Sequence, residues 1–121
     1  MNAQHLANPH YQYVQINLQE NALRSMLVNV FVSAIRAQVA PPLRRTYLLS
    51  SQSLEYLREP LGMSNAYIGY TFLVDEDLRV RWAACGDAMA EEAEGLERCV
   101  GLLLERRKGL EGAAADTPTA A

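Results

Sequence analysis

The stretch from residue 67 to residue 86 constrains the fold more than any other part of the sequence, because apolar and polar residues alternate in two successive runs. A period of two is typical of strands with one buried face. The apolar positions are Ile68, Tyr70, Phe72 and Val74 in the first run and Leu78, Val80 and Trp82 in the second. The acidic residues 75–77 connect the runs, so the sequence predicts a β-hairpin.

Two arginines lie on the second predicted strand, opposite its apolar residues. Arg79 and Arg81 are two residues apart, so they would point to the same side of a strand. That side is either solvated or presents cations to a partner. Tyrosine and arginine often anchor protein interfaces. The candidate partner-binding residues are therefore Tyr67, Tyr70, Arg79 and Arg81, together with the exposed edge of the sheet.

The predicted pattern opens with a strand, a helix and a second strand. Residues 13–18 alternate apolar and polar and predict a strand. Apolar residues at spacings of three and four over 23–35 predict a helix that has Asn21 as its N-cap and that the two prolines at 41 and 42 terminate. The short apolar run 46–49 predicts a buried strand.

Two more helices complete the pattern. Ser53 would cap a short helix that stops near Gly62. After the hairpin, Asp87 would cap a long helix that begins with acidic residues and ends with basic ones before Gly109. The apolar stripe of that helix consists of Met89, Ala93, Leu96, Val100 and Leu103, and Gly95 and Gly101 are expected where it packs closely on the sheet.

The predicted order is β-α-β-α-β-β-α. Two strands joined by a crossover helix pair in parallel, and a closing hairpin with a final helix completes a thioredoxin-like α/β fold, with a central mixed sheet flanked by helices. The predicted organisation is a leader over 1–12, a thioredoxin-like domain over 13–109 and a flexible tail over 110–121.

Composition narrows the function classes. The net charge is −3 at pH 7 and the pI is about 5.3, which disfavours direct nucleic-acid binding. No secretory signal is visible, and no segment is apolar enough to span a bilayer. The first 19 residues carry no Asp, Glu, Lys or Arg, so an arginine-rich mitochondrial presequence is either removed or never belonged to this sequence.

Neither cysteines nor acidic residues predict a chemical site. Cys85 and Cys99 match no zinc pattern, and their separation along the last helix disfavours a disulfide, so both are expected as reduced, mostly buried thiols. The acids 75–77 could suggest a metal, but in a hairpin turn they favour a solvated tip. We expect no catalytic residue, cofactor or metal.

Residues 65–75 and 79–86, followed by Ala88 and an acidic helix start, resemble the C-terminal domain of the mitochondrial ATP synthase assembly factor 10 family. The strongest motifs are Gly-Tyr at 69–70, Leu-Val-Asp at 73–75 and Arg-Trp-Ala-x-Cys-Gly at 81–86. The match is densest over 62–104. Ala84 departs from the glycine common in the family, and the family's usual N-terminal region is missing, so the chain is either a fragment or a reduced relative.

The resemblance implies a non-catalytic, chaperone-like protein that assists incorporation of subunit a into the Fo sector. It also implies a peripheral position on the matrix side of the mitochondrial inner membrane. The alternative is a permanent structural accessory subunit of a large mitochondrial complex, either the ATP synthase or the mitochondrial ribosome.

A thiol redox enzyme is a third alternative, because the fold usually places a reactive thiol where the first helix begins. Residues 19–22 contain no cysteine, so no attacking thiolate is available there. The proline that normally precedes the hairpin strand is also absent, with Asn65 and Ala66 in its place. The sequence therefore favours a binding module over a redox enzyme.

Overall fold

The computed structural model describes residues 2–18, 26, 30 and 32–116. They form two compact units, residues 2–62 and the residues from 63 onward. The elements, in order, are α1 (Asn2–His5), β1 (Gln15–Leu18), α2 (Val32–Gln38), a 3-10 helix (Pro41–Thr46), β2 (Tyr47–Ser50), α3 (Glu55–Arg58), β3 (Tyr70–Val74), β4 (Val80–Cys85) and α4 (Ala90–Ala115). The predicted mixed α/β class is confirmed.

In the first unit, β1 and β2 pair in parallel from Gln15 opposite Tyr47 to Leu18 opposite Ser50. Parallel strands need a long connection, and the predicted helix lies in it as α2; the 3-10 helix that follows was not predicted. The side-chain amide of Asn17 also donates to the Tyr47 hydroxyl at 2.9 Å. The strand expected from residue 13 begins at Gln15.

The first unit corrects the prediction for β2 and describes the predicted first helix in part. Leu48 and Leu49 in β2 are exposed, so the described residues leave this strand at the edge of a two-stranded sheet and not buried. The helix predicted between Asn21 and the two prolines is described only in part, because Asn21 lies outside the described residues; α2 ends at Gln38, before Pro41, as predicted. Pro41 then opens the 3-10 helix, where the missing N–H of proline costs nothing.

Helix α3 forms where a short helix was predicted. Its N-cap position is Leu54 rather than Ser53, although the Ser53 hydroxyl accepts the Glu55 N–H at 3.4 Å. The chain leaves the helix through Gly62, whose φ of 68° lies in the left-handed region that glycine adopts without strain. The helix itself ends at Arg58, before Pro60 and Gly62, where the sequence predicts its stop.

In the second unit, β3 and β4 form the predicted antiparallel hairpin. Tyr70 and Phe72 share a face, and their rings stack with centroids 6.4 Å apart. A register shift follows, because Leu73 pairs with Trp82 while Val74 pairs with Val80. This bulge interrupts the alternation of the second strand.

Trp82 of β4 contacts α4. Trp82 lies beside its partner Leu73, and its indole nitrogen is 3.6 Å from where a Cβ on Gly95 would stand. Gly95 therefore lies where Trp82 packs on the helix, as predicted. Gly101 is different, because no atom of the described residues outside its own stretch of helix backbone lies within 4 Å of the corresponding position.

The predicted central mixed sheet is wrong for the described residues, whose strands pair as two separate two-stranded sheets. Alternation in sequence specifies each strand, and the loop lengths specify which neighbours pair. Edge-to-edge joining of two strand pairs depends on non-local contacts that no local pattern encodes.

Helix α4 begins at the N-cap Met89 rather than at Asp87, and the Glu92 carboxylate accepts the Met89 N–H at 3.0 Å. A glutamate at the third helical position can accept the N–H of the N-cap residue. Glu92 reaches Met89, so Met89 is the N-cap. The helix spans 26 residues, a length of about 39 Å. It continues through the predicted stop at Gly109, because the alanine-rich residues after it favour helix.

The apolar stripe of α4 centres on Val100, which is 2% exposed, with Leu96 and Leu103 half-buried beside it. Met89 and Ala93 were predicted to belong to the stripe but are exposed. Met89 precedes the first helical residue in extended backbone, so the helical period does not apply to it. The division into leader, domain and tail stays a prediction; α1 lies inside that leader, and α4 enters that tail.

The glycines of α4 offer a stability test. Gly109 lies inside the helix, and the part of the chain that the structure describes leaves open space where its Cβ would stand, so Gly109→Ala should raise the free energy of unfolding by about 0.5–1 kcal/mol. Gly86 is the matched control, because its φ of 72° suits glycine. Gly86→Ala should cost about 1–2 kcal/mol. Urea denaturation measures both, and a loss of stability in Gly109→Ala would show that the helix ends before Gly109.

Candidate functional site

The hairpin tip, residues 75–79, is closed by two backbone hydrogen bonds. The Leu78 N–H donates to the Asp75 carbonyl, and the Asp75 N–H donates to the Arg79 carbonyl, both at 3.0 Å. Leu78 has a φ of 60°, in the left-handed region. A turn followed by one left-handed residue is a common way to close a hairpin, but glycine or asparagine usually takes that position.

The Asp75 carboxylate organises the hairpin tip. Asp75 is only 7% exposed. One oxygen accepts the backbone N–H groups of Asp77 at 2.9 Å and Arg79 at 3.0 Å, and the other accepts Nε of Arg81 at 2.6 Å. A single side chain thus satisfies two turn amides and a guanidinium, which a buried carboxylate requires.

Arg106 of α4 ties the helix to the tip. Its Nη2 atom lies 2.7 Å from a Glu76 carboxylate oxygen and 3.7 Å from the second Asp75 oxygen. The arginine side chains that meet Asp75 are only partly exposed, at 38% for Arg81 and 39% for Arg106. The tip is therefore held from two sides, by its own strand and by the helix.

These contacts lower the pKa of both carboxyl groups. The pKa of Asp75 falls from 3.8 to about 2, first because the Arg79 N–H donates to the carboxylate and then because the Arg81 guanidinium does. The pKa of Glu76 is also lowered, first by the backbone N–H of Glu76 itself and then by the charge of Arg106. Both groups are carboxylates at neutral pH, so each faces a guanidinium as a full ion pair.

The four candidate partner-binding residues have different surroundings. Tyr67 is 94% exposed, and Arg79 is exposed in the hairpin tip. Tyr70 is half-buried, and its hydroxyl accepts the Asn65 N–H at 2.8 Å, which fixes the loop before β3. Arg81 is engaged by Asp75. Their role in partner binding stays a prediction.

The second strand corrects the predicted faces. It begins at Val80, so Arg79 lies in the turn and only Arg81 lies in the strand, at the bulge. Leu78 was predicted on the apolar face but is 85% exposed in the turn. The physical reason is the Asp75 carboxylate, which captures the following amides and extends the turn to Arg79.

The acidic turn is not the solvated tip that the sequence favours. Asp77 is exposed, but Asp75 is buried and Glu76 is paired with Arg106. Within residues 2–18, 26, 30 and 32–116, no three or more His, Cys, Asp or Glu side chains group so as to hold a metal ion. An aspartate whose side chain accepts the amide two residues later is a recognisable turn signal. The contact with Arg106, far along the chain, has no such signal.

Both cysteines are free thiols. Cys99 is half-buried on α4, but Cys85 is exposed at the end of β4, so the prediction of mostly buried thiols is wrong for Cys85. Cys85 is the last residue of β4 and pairs with Tyr70, the first residue of β3.

The two arginines of the hairpin should differ in stability. Arg79→Ala should change the free energy of unfolding by no more than about 0.5 kcal/mol, because its side chain is exposed. Arg81→Ala should exceed that range, because it removes the shortest hydrogen bond to buried Asp75. Chemical denaturation of both variants measures the difference. Equal losses would mean that the Asp75–Arg81 pair contributes no stability.

No helix in the part of the chain that the structure describes has both the length and the hydropathy of a bilayer span. No solved structure matches the chain. Its similarity to known proteins is therefore one of sequence.

Three curated relatives illustrate that similarity. The mitochondrial ATPase complex subunit ATP10 of Saccharomyces cerevisiae is 37% identical over 94 residues, covering 75% of this chain and 33% of that protein. The protein of the same name from Candida glabrata is 35% identical over 103 residues, covering 84% and 38%. A probable mitochondrial ATPase complex subunit atp10 of Schizosaccharomyces pombe is 24% identical over 107 residues, covering 88% and 40%.

The chain thus spans between a third and two fifths of the length of these relatives. A family profile described as ATP10 protein matches residues 1–103, which include the hairpin, its buried aspartate and most of α4. The resemblance predicted from residues 65–86 is confirmed, and the chain belongs to the ATP10 family.

Proposed function

We propose that this chain acts in assembly of the mitochondrial ATP synthase, where it assists incorporation of subunit a into the Fo sector. The observation that carries the proposal is the family match over residues 1–103, with relatives named as mitochondrial ATPase complex subunits. The part of the chain with the strongest motifs is also the part that the buried Asp75 organises.

The proposed role is non-catalytic binding. A stiff hairpin clamped to a helix suits a binding surface, because side chains held in place lose little entropy on association. Tyr67 and Arg79 are the exposed members of the candidate set, and tyrosine and arginine often anchor interfaces. The thioredoxin-like assignment belongs to the same proposal, supported by the order β-α-β followed by β-β-α.

The proposal includes a location. Binding to subunit a of Fo requires access to the inner membrane, and we propose a peripheral position on its matrix side. The names of the relatives support the mitochondrial part of this location. Fractionation of mitochondria with alkaline carbonate extraction and protease protection tests the rest.

The test is a chimera, because the chain corresponds to one part of its relatives. The matching segment of the Saccharomyces protein would be replaced by the whole chain, which includes Arg106, in a strain that lacks the native gene. Respiratory growth, assembled ATP synthase on native gels and the amount of subunit a are the expected recoveries. A chimera carrying Asp75→Ala is the control, since the same segment would lack its organised tip. A stable chimera that restores none of the three would contradict the proposal.

A permanent accessory subunit is the alternative, and stoichiometry separates the two. An assembly factor should be recovered with the ATP synthase in substoichiometric amounts, whereas a subunit of the ATP synthase or the mitochondrial ribosome should copurify one to one. Quantitative mass spectrometry of both purified complexes gives the ratio. A ratio near one with either complex would favour the subunit.

Thiol redox chemistry provides a further prediction. Residues 19–22 contain no cysteine, and they lie outside the described residues. We expect no turnover in insulin reduction or peroxide consumption. Cys85→Ser is the informative variant, because the Cys85 thiol is exposed. Turnover in the wild-type chain that disappears in this variant would establish a redox enzyme instead.

A further inference from the structure

Leu78 combines two unfavourable properties. It is 85% exposed, and its φ of 60° places a γ-branched residue in the left-handed region. Glycine or asparagine would adopt this conformation at lower cost, and either would avoid exposing an apolar side chain. Folding of this turn therefore does not require leucine, and backbone strain of this kind often accompanies a functional role.

Hydrogen bonds on both sides of Leu78 hold the backbone that carries its side chain. Asp75 accepts the N–H groups on either side of Leu78, from Asp77 and from Arg79. Arg106 then holds the neighbouring Glu76 to α4 at 2.7 Å. An exposed leucine on so constrained a turn is preorganised for insertion into a partner, because little freedom remains to be lost.

Ion pairs also neutralise part of the negative charge of the hairpin tip. Asp75 faces Arg81, and Glu76 faces Arg106, so two of the three acids are paired. Arg79, directly after Leu78, makes no ion pair with any residue that the structure describes. The tip thus presents an apolar side chain beside an available guanidinium and the exposed Asp77.

We infer that Leu78 and Arg79 form a docking tip, which inserts the leucine into an apolar socket of a protein partner and pairs the arginine with a carboxylate at the rim. A protein fits better than a lipid surface, since one leucine and one cation bind a bilayer weakly when even a single acyl chain gives only marginal anchoring. The net charge of −3 also opposes attraction to anionic lipid. The inference rests on the proposed function, which makes the partner a component of Fo.

The test uses the full chain and Leu78→Gly, with detergent-solubilised Fo sector containing subunit a as the probe. Leu78→Gly should raise the melting midpoint by about 3 °C, because it relieves the strained turn. It should also weaken binding to Fo about tenfold or more, because it removes the anchor. Gain of stability with loss of binding distinguishes a docking residue from a structural one. Leu78→Asn provides a second variant that keeps the turn, and Arg79→Glu should also weaken binding.

Leu102→Ala on α4 is the matched control, since Leu102 is another exposed leucine and should leave binding unchanged. Equal affinity of the wild-type chain and Leu78→Gly for Fo would overturn the docking tip and leave the proposed function standing. Absence of wild-type binding would overturn both. A parallel measurement with cardiolipin-containing vesicles completes the test: binding there that depends on Leu78, without binding to Fo, would make the tip a lipid anchor and overturn the inference.

Discussion

Asp75→Ala is expected to destabilise the hairpin–helix unit more than any other single substitution in the hairpin tip. It leaves the amides of Asp77 and Arg79 without their acceptor and removes the carboxylate that faces Arg81 and Arg106. When one member of a buried polar network is removed, each partner left without a hydrogen bond adds its desolvation penalty to the loss of stability. Chemical denaturation at neutral pH should show the loss as a lower midpoint.

The same variant should change the response to acid. Because the folded chain lowers the pKa of Asp75 from 3.8 to about 2, the carboxylate stabilises the folded state fully at pH values above its ordinary pKa. That stabilisation is lost as the pH falls through the lowered value. The difference in stability between wild type and variant should therefore be constant above about pH 5 and shrink toward pH 2, with a slope of at most about one proton.

Asp75→Asn is the matched control for this prediction. Its side-chain carbonyl still accepts the turn amides, but it carries no charge for Arg81 and does not titrate. Asp75→Asn should be more stable than Asp75→Ala at neutral pH. Its free energy of unfolding should lack the decrease at low pH that Asp75 contributes in the wild-type chain. If Asp75→Asn loses stability with acid as steeply as the wild-type chain, the pH dependence comes from other carboxylates.

Trp82→Ala should lower the free energy of unfolding by about 2 kcal/mol, less than the 3–5 kcal/mol typical of a fully buried aromatic. Trp82 is half-buried rather than part of a closed core, so truncation removes only part of a full transfer energy. It also removes the contact with α4 at Gly95, where the indole nitrogen comes within 3.6 Å of the Cβ position. Urea denaturation followed by circular dichroism measures the change without relying on tryptophan fluorescence.

Trp82→Phe and Leu102→Ala are the control variants for that measurement. Phenylalanine keeps part of the contact with α4 and should cost less than alanine. Leu102 is exposed on the same helix, so its truncation should change stability by no more than about 0.5 kcal/mol. A loss below this value in Trp82→Ala would mean that the hairpin and α4 are held together by the Asp75 and Arg106 contacts alone.

The amino-acid sequence by itself determined the local structure and the family. Alternation located β3 and β4, the turn residues located the hairpin, and the specific motifs over 65–86 identified the ATP10 family. The parallel pairing of β1 and β2 followed from the long connection between them. Each of these features depends on residues close together in the chain, so a local pattern is sufficient to predict it.

Only the tertiary structure decided the chemistry of the hairpin tip. Asp75 belongs to an acidic run that is typical of a solvated turn. Its burial depends instead on Arg81, which lies beyond the turn, and on Arg106, which lies on α4. That network extends the turn to Arg79, leaves Leu78 in a strained and exposed position and separates the roles of the two arginines. The physical reason is that a charge can be buried only where the fold places an opposite charge beside it. Residues far apart in the chain supply that opposite charge, so no periodicity in the sequence predicts it.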